Sequence, residues 1–335
     1  MVDVGRLADV SAQTVSRYFT GTGYVSDATR QRIAAAIDEL GYVPNLAARN
    51  LRADRTDTVG VLSMGALNYG SSGVLTGLAL AARAADVTVM ITQLDLDFDS
   101  PADWEREAKR ALTRFLAAKV DGVVLSTPVP GVETLLAGWD TRVPTITVSE
   151  LPLALEGSAG THSHSAGLIG TRHLIELGHR RIIHVAGPAS RNEARERERG
   201  YRDAMAAAGL EPQVVALASD WTSASGARAG TAVALDSFTA IFAANDEIAL
   251  GAMSALEARG LRAPSDYSIV GVDDMPTAEF FSPPLTTMRL DFKELGRATF
   301  TMLRQQILTG RPAQHVTIEP ELVVRASTAR PPHVA

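Results

Sequence analysis

Two polar side chains near the start of the chain, Gln13 and Arg17, have the spacing and the chemistry to read DNA bases. They lie four residues apart, so in a helix they share one face. In the major groove, arginine pairs with guanine O6 and N7, and glutamine pairs with adenine N6 and N7. Ala12 and Ser16 are predicted to face outward beside them, and the methyl group of Ala12 suits contact with a thymine methyl.

The segments around these side chains predict a helix-turn-helix. Ser11 is a favourable N-cap for a helix in which Val15 and Phe19 form an apolar stripe. A short helix ending near Ala8 precedes it, across a tight turn at Asp9-Val10. In this motif the second helix enters the major groove by its N-terminal residues. Any short polar helix after a turn would show the same pattern, so the interpretation needs support from the neighbouring sequence.

A third helix comes next, in which Ser26 is the N-cap, Ile33, Ile37 and Leu40 share one face, and Gly41 ends the helix. With this helix and the segment after it, the N-terminal region resembles the head and hinge of the lactose-repressor (LacI/GalR) family. Three stretches carry the resemblance: Ala12-Gln13-Thr14-Val15-Ser16-Arg17, Glu39-Leu40-Gly41-Tyr42-Val43-Pro44-Asn45 and Ala48-Arg49-Asn50-Leu51.

The resemblance implies a set of DNA-contacting residues: Ser11, Ala12, Gln13, Thr14, Ser16 and Arg17 in the head, and Asn45, Ala48 and Leu51 in the hinge. Residues 45–52 are too few to form a stable isolated helix, so we expect them to fold against a partner. In a dimer two Leu51 side chains would wedge into a central base step and kink the duplex. The alternative for Leu51 is a contact with the body of the protein.

Composition bounds the remaining possibilities. The chain has 335 residues, which suggests two or more domains, and 46% of them are hydrophobic. Its net charge is −6, and residues 1–60 carry seven arginines against seven acidic residues, so a neutral head is predicted on an acidic body. Disulfides and thiolate metal sites are excluded because there is no cysteine. With no apolar run of membrane length and no signal peptide, we expect a cytoplasmic protein without a membrane partner.

From residue 58 onward the pattern predicts an α/β fold with two doubly wound parallel sheets, of the type found in periplasmic binding proteins. Short β-branched runs alternate with Ala-rich helical segments, first between 59 and 148 and again between 181 and 272. The predicted domains are a head (1–44), a hinge helix with its linker (45–57) and an effector-binding core (58–330). Within the core, subdomain one is expected at about 58–161 and 291–321, and subdomain two at about 162–290 and 322–330.

No enzymatic motif is present that would make this body a catalyst. The sequence lacks a dinucleotide-binding glycine motif, a phosphate-binding loop, a zinc-protease motif and a nucleophile elbow. His162 and His164 are the one close histidine pair, and in an extended segment their rings would share a face. A metal would need further ligands, so a loop between subdomains is the preferred interpretation. We expect no cofactor and no metal.

The resemblance further implies a cleft between the subdomains in which a sugar effector binds. Six residues are expected to contact the sugar: Ser149, Arg197, Trp221, Asn245, Asp273 and Phe292. These side chains suit a neutral polyol. Arginine offers forked donors, aspartate accepts from paired hydroxyls, asparagine does both, and tryptophan covers an apolar C–H face. Arg197 also lies in a charged run, 193–199, and such runs are usually solvated helix faces.

These observations predict a homodimeric transcriptional regulator, most simply a repressor of carbohydrate-utilisation genes. Its partners would be operator DNA, a second copy of the chain, and a mono- or disaccharide or glycoside that releases it from a palindromic operator. A dimer is expected because no heptad run follows residue 310. The alternative is a sugar-binding transport component without a DNA role, which shares the architecture of the core.

Overall fold

The computed structural model describes residues 1–42, 55–94, 101–126, 143–148 and 157–331. They form two compact units, Met1–Thr56 and Asp57–Ala335. The predicted hinge residues Asn45, Ala48 and Leu51 lie outside the described residues, as does Ser149. The predicted limits of the hinge and of the two subdomains stay predictions.

The first unit is a three-helix head. Its helices are α1 (Val2–Leu7), α2 (Ala12–Thr20) and α3 (Asp27–Leu40). Ser11 caps α2 by accepting from the Thr14 N–H at 3.1 Å, and Ser26 caps α3 in the same way. The core of the head consists of Val4, Ala8, Val15, Val25, Ile33 and Ala36. Leu40 was predicted on the apolar face of α3, but it is 46% exposed because it lies in the last turn, past this core.

In the second unit, the first sheet has six parallel strands in the order β2-β1-β3-β4-β5-β11. These strands are β1 (Thr58–Met64), β2 (Thr88–Leu94), β3 (Gly122–Ser126), β4 (Thr145–Val148), β5 (Ser158–Thr161) and β11 (Val316–Ile318). Among the described residues, three helices cover it: α4 (Tyr69–Ala84), α5 (Pro101–Ala117) and α10 (Phe292–Thr309). The central strands are buried on both faces, as the apolar runs predicted.

The second sheet repeats this design in the order β7-β6-β8-β9-β10-β12, with β12 antiparallel to its neighbour. Its strands are β6 (Ile182–Val185), β7 (Gln213–Val215), β8 (Ala240–Ala243), β9 (Ser268–Asp273), β10 (Thr286–Arg289) and β12 (Glu321–Val323). Its helices are α6 (Ser163–Glu176), α7 (Asn192–Ala207), α8 (Ser223–Ala232) and α9 (Asp246–Ala258), and a 3₁₀ turn spans Ala278–Phe280. The prediction of two similar α/β units is confirmed.

The chain passes between the two sheets three times, after β5, after β10 and after β11. Each crossing follows a strand near the same edge of its sheet, so the two sheets are joined side by side. Residues at the carboxyl ends of central strands from both sheets line one shared cleft, the usual ligand position in sheets of this type. Among the described residues, no helix is long and apolar enough to span a membrane.

Close helix pairs fix the walls of that cleft. Gly167 of α6 and Gly200 of α7 face each other's helix, and a Cβ atom on Gly200 would overlap the carbonyl oxygen of His164. Gly77 of α4 and Gly296 of α10 pack in the same manner. The helices that carry cleft residues are thus held at backbone contact.

Gly200→Ala is expected to lower the free energy of unfolding by about 1–3 kcal/mol, because the new methyl group must push α7 away from α6. Urea denaturation measures the change. Arg199→Ala, on the exposed side of the same helix, is the control and should change stability far less. A Gly200→Ala protein as stable as the wild type would show that the helix pair can separate without loss of stability.

Candidate functional site

An open cleft lies between the two sheets of the body, with a cavity volume of about 110 Å³. Its two walls differ in chemistry. The first subdomain contributes mostly apolar and small polar residues: Met64, Ala66, Asn68, Gly70, Ser71, Val74, Ser126, Val148, Gly160, Thr161, Phe292 and Leu295. The second contributes Arg191, Glu193, Arg197, Trp221, Asn245 and Asp273, of which four have ionisable side chains.

Arg197 lies at the centre of the polar wall and is only 3% exposed. Its Nη1 donates to the carbonyl oxygen of Ala244 at 2.7 Å, and its Nη2 lies 3.5 Å from Asp273 Oδ1. The guanidinium also covers the Trp221 ring, with Cζ 5.3 Å from the ring centroid. Its Nε is buried without a hydrogen-bond partner among the described residues. One donor of the guanidinium is thus left to a ligand.

Trp221 precedes α8 and is 9% exposed. Arg197 lies over its ring, and the far edge of the ring packs on Gly187, where a Cβ would approach to 2.7 Å. The indole Nε1 is buried and has no acceptor among the described residues. In this conformation the residue offers a hydrogen-bond donor more readily than the open ring face that the sequence suggested.

Asn245 is the N-cap of α9, and both ends of its amide are engaged. Its Oδ1 accepts from the Ile248 N–H at 2.8 Å, and its Nδ2 donates to the carbonyl oxygen of Trp221 at 3.2 Å. The residue therefore joins the end of β8 to the segment that holds Trp221. Its role in the structure is to position the wall, with a second lone pair and a second N–H left for a ligand.

Asp273 ends β9 with a φ of +114°, and its carboxylate lies beside Arg197. Burial raises the pKa of Asp273 to about 7, although the positive charge of Arg197 acts to lower it. Behind it, Asp246 accepts from Thr287 Oγ1 and from the Met275 N–H. Burial and then the charge of Asp273 raise the pKa of Asp246 well above its usual value. Burial therefore favours the neutral forms of Asp273 and Asp246.

The other wall presents Phe292, the first residue of α10. Its ring packs edge-on against Tyr69 with centroids 6.0 Å apart. Gly70 and Gly73 lie against the same side chain, since a Cβ on either would come within about 3.0 Å of it. A flat apolar surface therefore faces the hydrogen-bonding groups of the polar wall across the cleft.

One described side chain reaches across the cleft. Arg191, just before α7, lies against Gly65 at the end of β1, and a Cβ on Gly65 would overlap its guanidinium. Gly65 has a φ of +92°, a conformation that suits glycine. This contact joins the two subdomains directly, so it depends on their separation.

In the head, α2 presents its predicted base-reading side. Ser11, Ala12 and Gln13 are exposed, Thr14 and Ser16 lie at the edge of this surface, and Arg17 follows one turn after Gln13. The turn before α2 bends at Asp9, which has a φ of +50°. The first turn of α2 is therefore open to an approaching duplex, whereas Val15 is fully buried beneath it.

Comparison with known proteins identifies the family. The profile of bacterial regulatory proteins of the lacI family matches residues 1–45, and that of a periplasmic binding protein-like domain matches residues 171–328. The HTH-type transcriptional repressor PurR of Vibrio campbellii is 32% identical over 335 residues, with 96% of each chain covered. The chain belongs to the lacI family of bacterial regulatory proteins. The resemblance seen in the sequence is confirmed.

Solved structures of the lacI family give the same assignment. The lac repressor dimer bound to operator and the anti-inducer ONPF superposes with a TM-score of 0.88 at 28% identity, covering 98% of this chain and 99% of that one. A complex of the transcriptional regulator CelR with cellobiose has a TM-score of 0.70 at 30% identity, covering 97% and 98%. The protein is a DNA-binding transcriptional repressor of the lacI family, and its relatives are not enzymes.

The structure adds cleft residues that sequence reasoning missed. Glu193 lies in the charged run 193–199, one helical turn before Arg197, and spacing by four was the signal that both share a face. Asn68 and Ser71 form a capping box at the start of α4, a pattern visible in the sequence. Arg191 had no such signal, because its contact with Gly65 depends on the tertiary fold.

The histidine pair has a structural explanation in this lacI-family fold. An extended segment was predicted, but α6 begins at Ser163, so His164 is helical. His162 Nδ1 lies 3.0 Å from Glu319, and His164 Nε2 lies 2.8 Å from Asp203. No cluster of three or more metal-ligating side chains occurs among the described residues. The pair lies at a crossing between the sheets.

Proposed function

We propose that this repressor is a homodimer that binds a palindromic operator through α2 and is released when a neutral sugar binds the cleft. It would act in the cytoplasm on carbohydrate-utilisation genes. The observation that carries the sugar assignment is the pairing of a polar wall, which leaves donors and acceptors unused, with an apolar wall around Phe292. Sugars have hydroxyl edges and apolar C–H faces that suit such a pair of walls.

Operator reading is assigned to Gln13 and Arg17 with the neighbouring side chains Ser11, Ala12, Thr14 and Ser16. The hinge residues Asn45, Ala48 and Leu51 are proposed to contact the minor groove at the centre of the operator. Two heads related by the dimer axis would read two half-sites, so the operator should be palindromic. Support for the dimer comes from the lac repressor dimer on its operator. Light scattering of the free chain tests the dimer directly.

Arg17→Ala should weaken binding to a selected operator by about 1–3 kcal/mol in each half-site and leave binding to random DNA nearly unchanged. Arg17 lies in the second turn of α2 and is not part of the core of the head, so the head should still fold. The operator is first selected from random duplexes, and gel shifts then compare it with a scrambled duplex. Arg6→Ala, exposed on α1, is the matched control. Equal losses on both duplexes would assign Arg17 to the phosphate backbone.

Release by the sugar is proposed to work by linkage. A sugar that touches both walls stabilises one separation of the subdomains, and the contact of Arg191 with Gly65 must change with that separation. The hinge segments of the two protomers would then lose their register on DNA. To act as a switch, the sugar must prefer one state by several kcal/mol.

Calorimetry with the purified chain tests the sugar assignment. The probes are cellobiose, lactose, glucose and galactose, with a purine base and an amino acid as alternatives. Cellobiose is included because the CelR complex contains it. Binding of a neutral sugar, together with loss of the operator gel shift, is expected. If a purine or an amino acid binds and no sugar does, the sugar assignment is wrong while the assignment of a ligand-responsive repressor stands.

A further inference from the structure

Glu193 lines the cleft beside Arg197 but is not among the six residues predicted to bind the sugar. It is the second residue of α7, and Arg197 follows one turn later on the same face. Its Oε2 is buried without a hydrogen-bond partner among the described residues. A buried carboxyl oxygen without a donor is destabilising, so this atom indicates that a ligand supplies the donor.

The surroundings of Glu193 are strongly charged. Burial raises its pKa, and the guanidinium groups of Arg191 and Arg197 oppose that rise. Asp273 is close enough for Glu193 to help raise the pKa of Asp273. Two cations and two carboxyl groups thus share the polar wall. Without Glu193, the wall would carry an excess of positive charge and would attract anions.

Unused donors complete the pattern around this carboxyl group. The Nε1 of Trp221 and the Nε of Arg197, both residues of the cleft lining, are buried without partners among the described residues. A hydroxyl group can donate to a carboxylate and accept from such a donor at the same time. An ionised carboxylate or phosphate on the ligand can only accept, so it could not satisfy Glu193.

We propose that Glu193 selects the effector by charge, accepting a hydrogen bond from a hydroxyl group of a neutral sugar and excluding the corresponding uronic acid. Sugars that differ only by oxidation of the primary alcohol to a carboxylate would be distinguished here. Two arginines nearby would otherwise favour the acid, and the buried carboxylate of Glu193 opposes it by like-charge repulsion. This inference rests on the proposed sugar-binding function.

The test compares neutral sugars with their acids on the full chain: glucose with glucuronic acid, galactose with galacturonic acid, and cellobiose with its uronic acid. Affinities are measured by calorimetry for the wild type and for Glu193→Gln. The wild type should prefer the neutral member by about tenfold or more, since like charges brought together weaken binding. Glu193→Gln should reduce that preference about tenfold, both by weaker binding of the neutral sugar and by stronger binding of the acid.

Glu196→Gln is the matched control, because Glu196 lies on the same helix but pairs with Arg199 outside the cleft. It should keep the wild-type preference. Thermal melting of both variants verifies that they are folded. If the wild type binds a neutral sugar and Glu193→Gln retains the full preference against the acid, the inference is wrong and the proposed function stands. If the wild type binds no sugar, the inference and the sugar assignment are both wrong.

Discussion

Arg197→Ala is expected to bind the operator as tightly as the wild type and to lose its response to the sugar. Arg197 lies in the cleft of the body, where it contacts Ala244, Asp273 and Trp221, whereas the base-reading side chains belong to a separate compact unit. Loss of its hydrogen bonds to the sugar should reduce binding by about 2–3 kcal/mol, or roughly 30- to 150-fold in affinity. A switch that depends on a difference of several kcal/mol should fail after such a loss.

Operator gel shifts with and without the sugar measure this result, and calorimetry measures the affinity itself. Arg199→Ala removes the same side chain from the exposed face of α7 and should respond normally. Removal of the Arg197 side chain should not leave a buried, unpaired carboxylate, because the pKa of Asp273 is raised to about 7 and its carboxyl group can take up a proton. Loss of operator binding in Arg197→Ala would instead assign Arg197 to the fold.

Arg197→Lys keeps the positive charge and should lose most of the response to the sugar, since the single ammonium group of lysine cannot donate two parallel hydrogen bonds as the guanidinium group does.

Local patterns were sufficient to predict the head and the main strands. Ser11 and Ser26 are N-caps that need only the following three residues, and both are observed. The apolar runs that form β1, β3, β8 and β9 are buried on both faces. Their continuous apolar composition is what this burial requires, so it was enough to predict them. Sequence and structure agree at these positions, where the deciding interactions are close along the chain.

Four strands were not predicted, and their composition explains why. Strand β5 is Ser158–Thr161, which contains Ala and Gly but no large apolar residue. Strands β11 and β12 have three residues each, and β10 has four, two of them threonine. These strands lie toward the edges where the chain crosses between sheets. They form because neighbouring strands supply hydrogen bonds, and such support is invisible in a short window.

In the cleft, likewise, the sequence predicted some features of the side chains, whereas others depend on the fold. The family resemblance led to Arg197, Trp221, Asn245 and Asp273, and the structure places all four on one wall. What each side chain does there was not predictable from its type. Asn245 uses its amide to hold Ile248 and Trp221, and Trp221 has its ring covered by Arg197. Most of these contacts join residues far apart in the chain, so only the fold determines which groups remain for a ligand.

Asp273→Asn is expected to change how stability depends on pH. Burial raises the pKa of Asp273 from 3.8 in the unfolded chain to about 7 in the folded protein. Between these values the folded state keeps a proton that the unfolded state has lost, so stability falls as pH rises from about 4 to about 7. The size of this pKa difference corresponds to about 4 kcal/mol. Asparagine cannot titrate, so the variant should gain about that much relative to the wild type across the same interval.

Urea denaturation at a series of pH values measures this difference. Tryptophan fluorescence monitors the unfolding, because the buried Trp104 and Trp221 lie in the body. Burial lowers the pKa of His184 to about 4, so protonation of this histidine in the unfolded chain reduces stability as pH falls below 6.5. Asp246 and Glu193, whose pKa values burial also raises, act in the same direction as Asp273, so the Asp273→Asn curve should fall less steeply with pH than that of the wild type. Asp236→Asn, exposed, should follow the wild type. Parallel curves for Asp273→Asn and the wild type would mean that Asp273 is ionised in the folded protein, held by Arg197 rather than neutralised by burial.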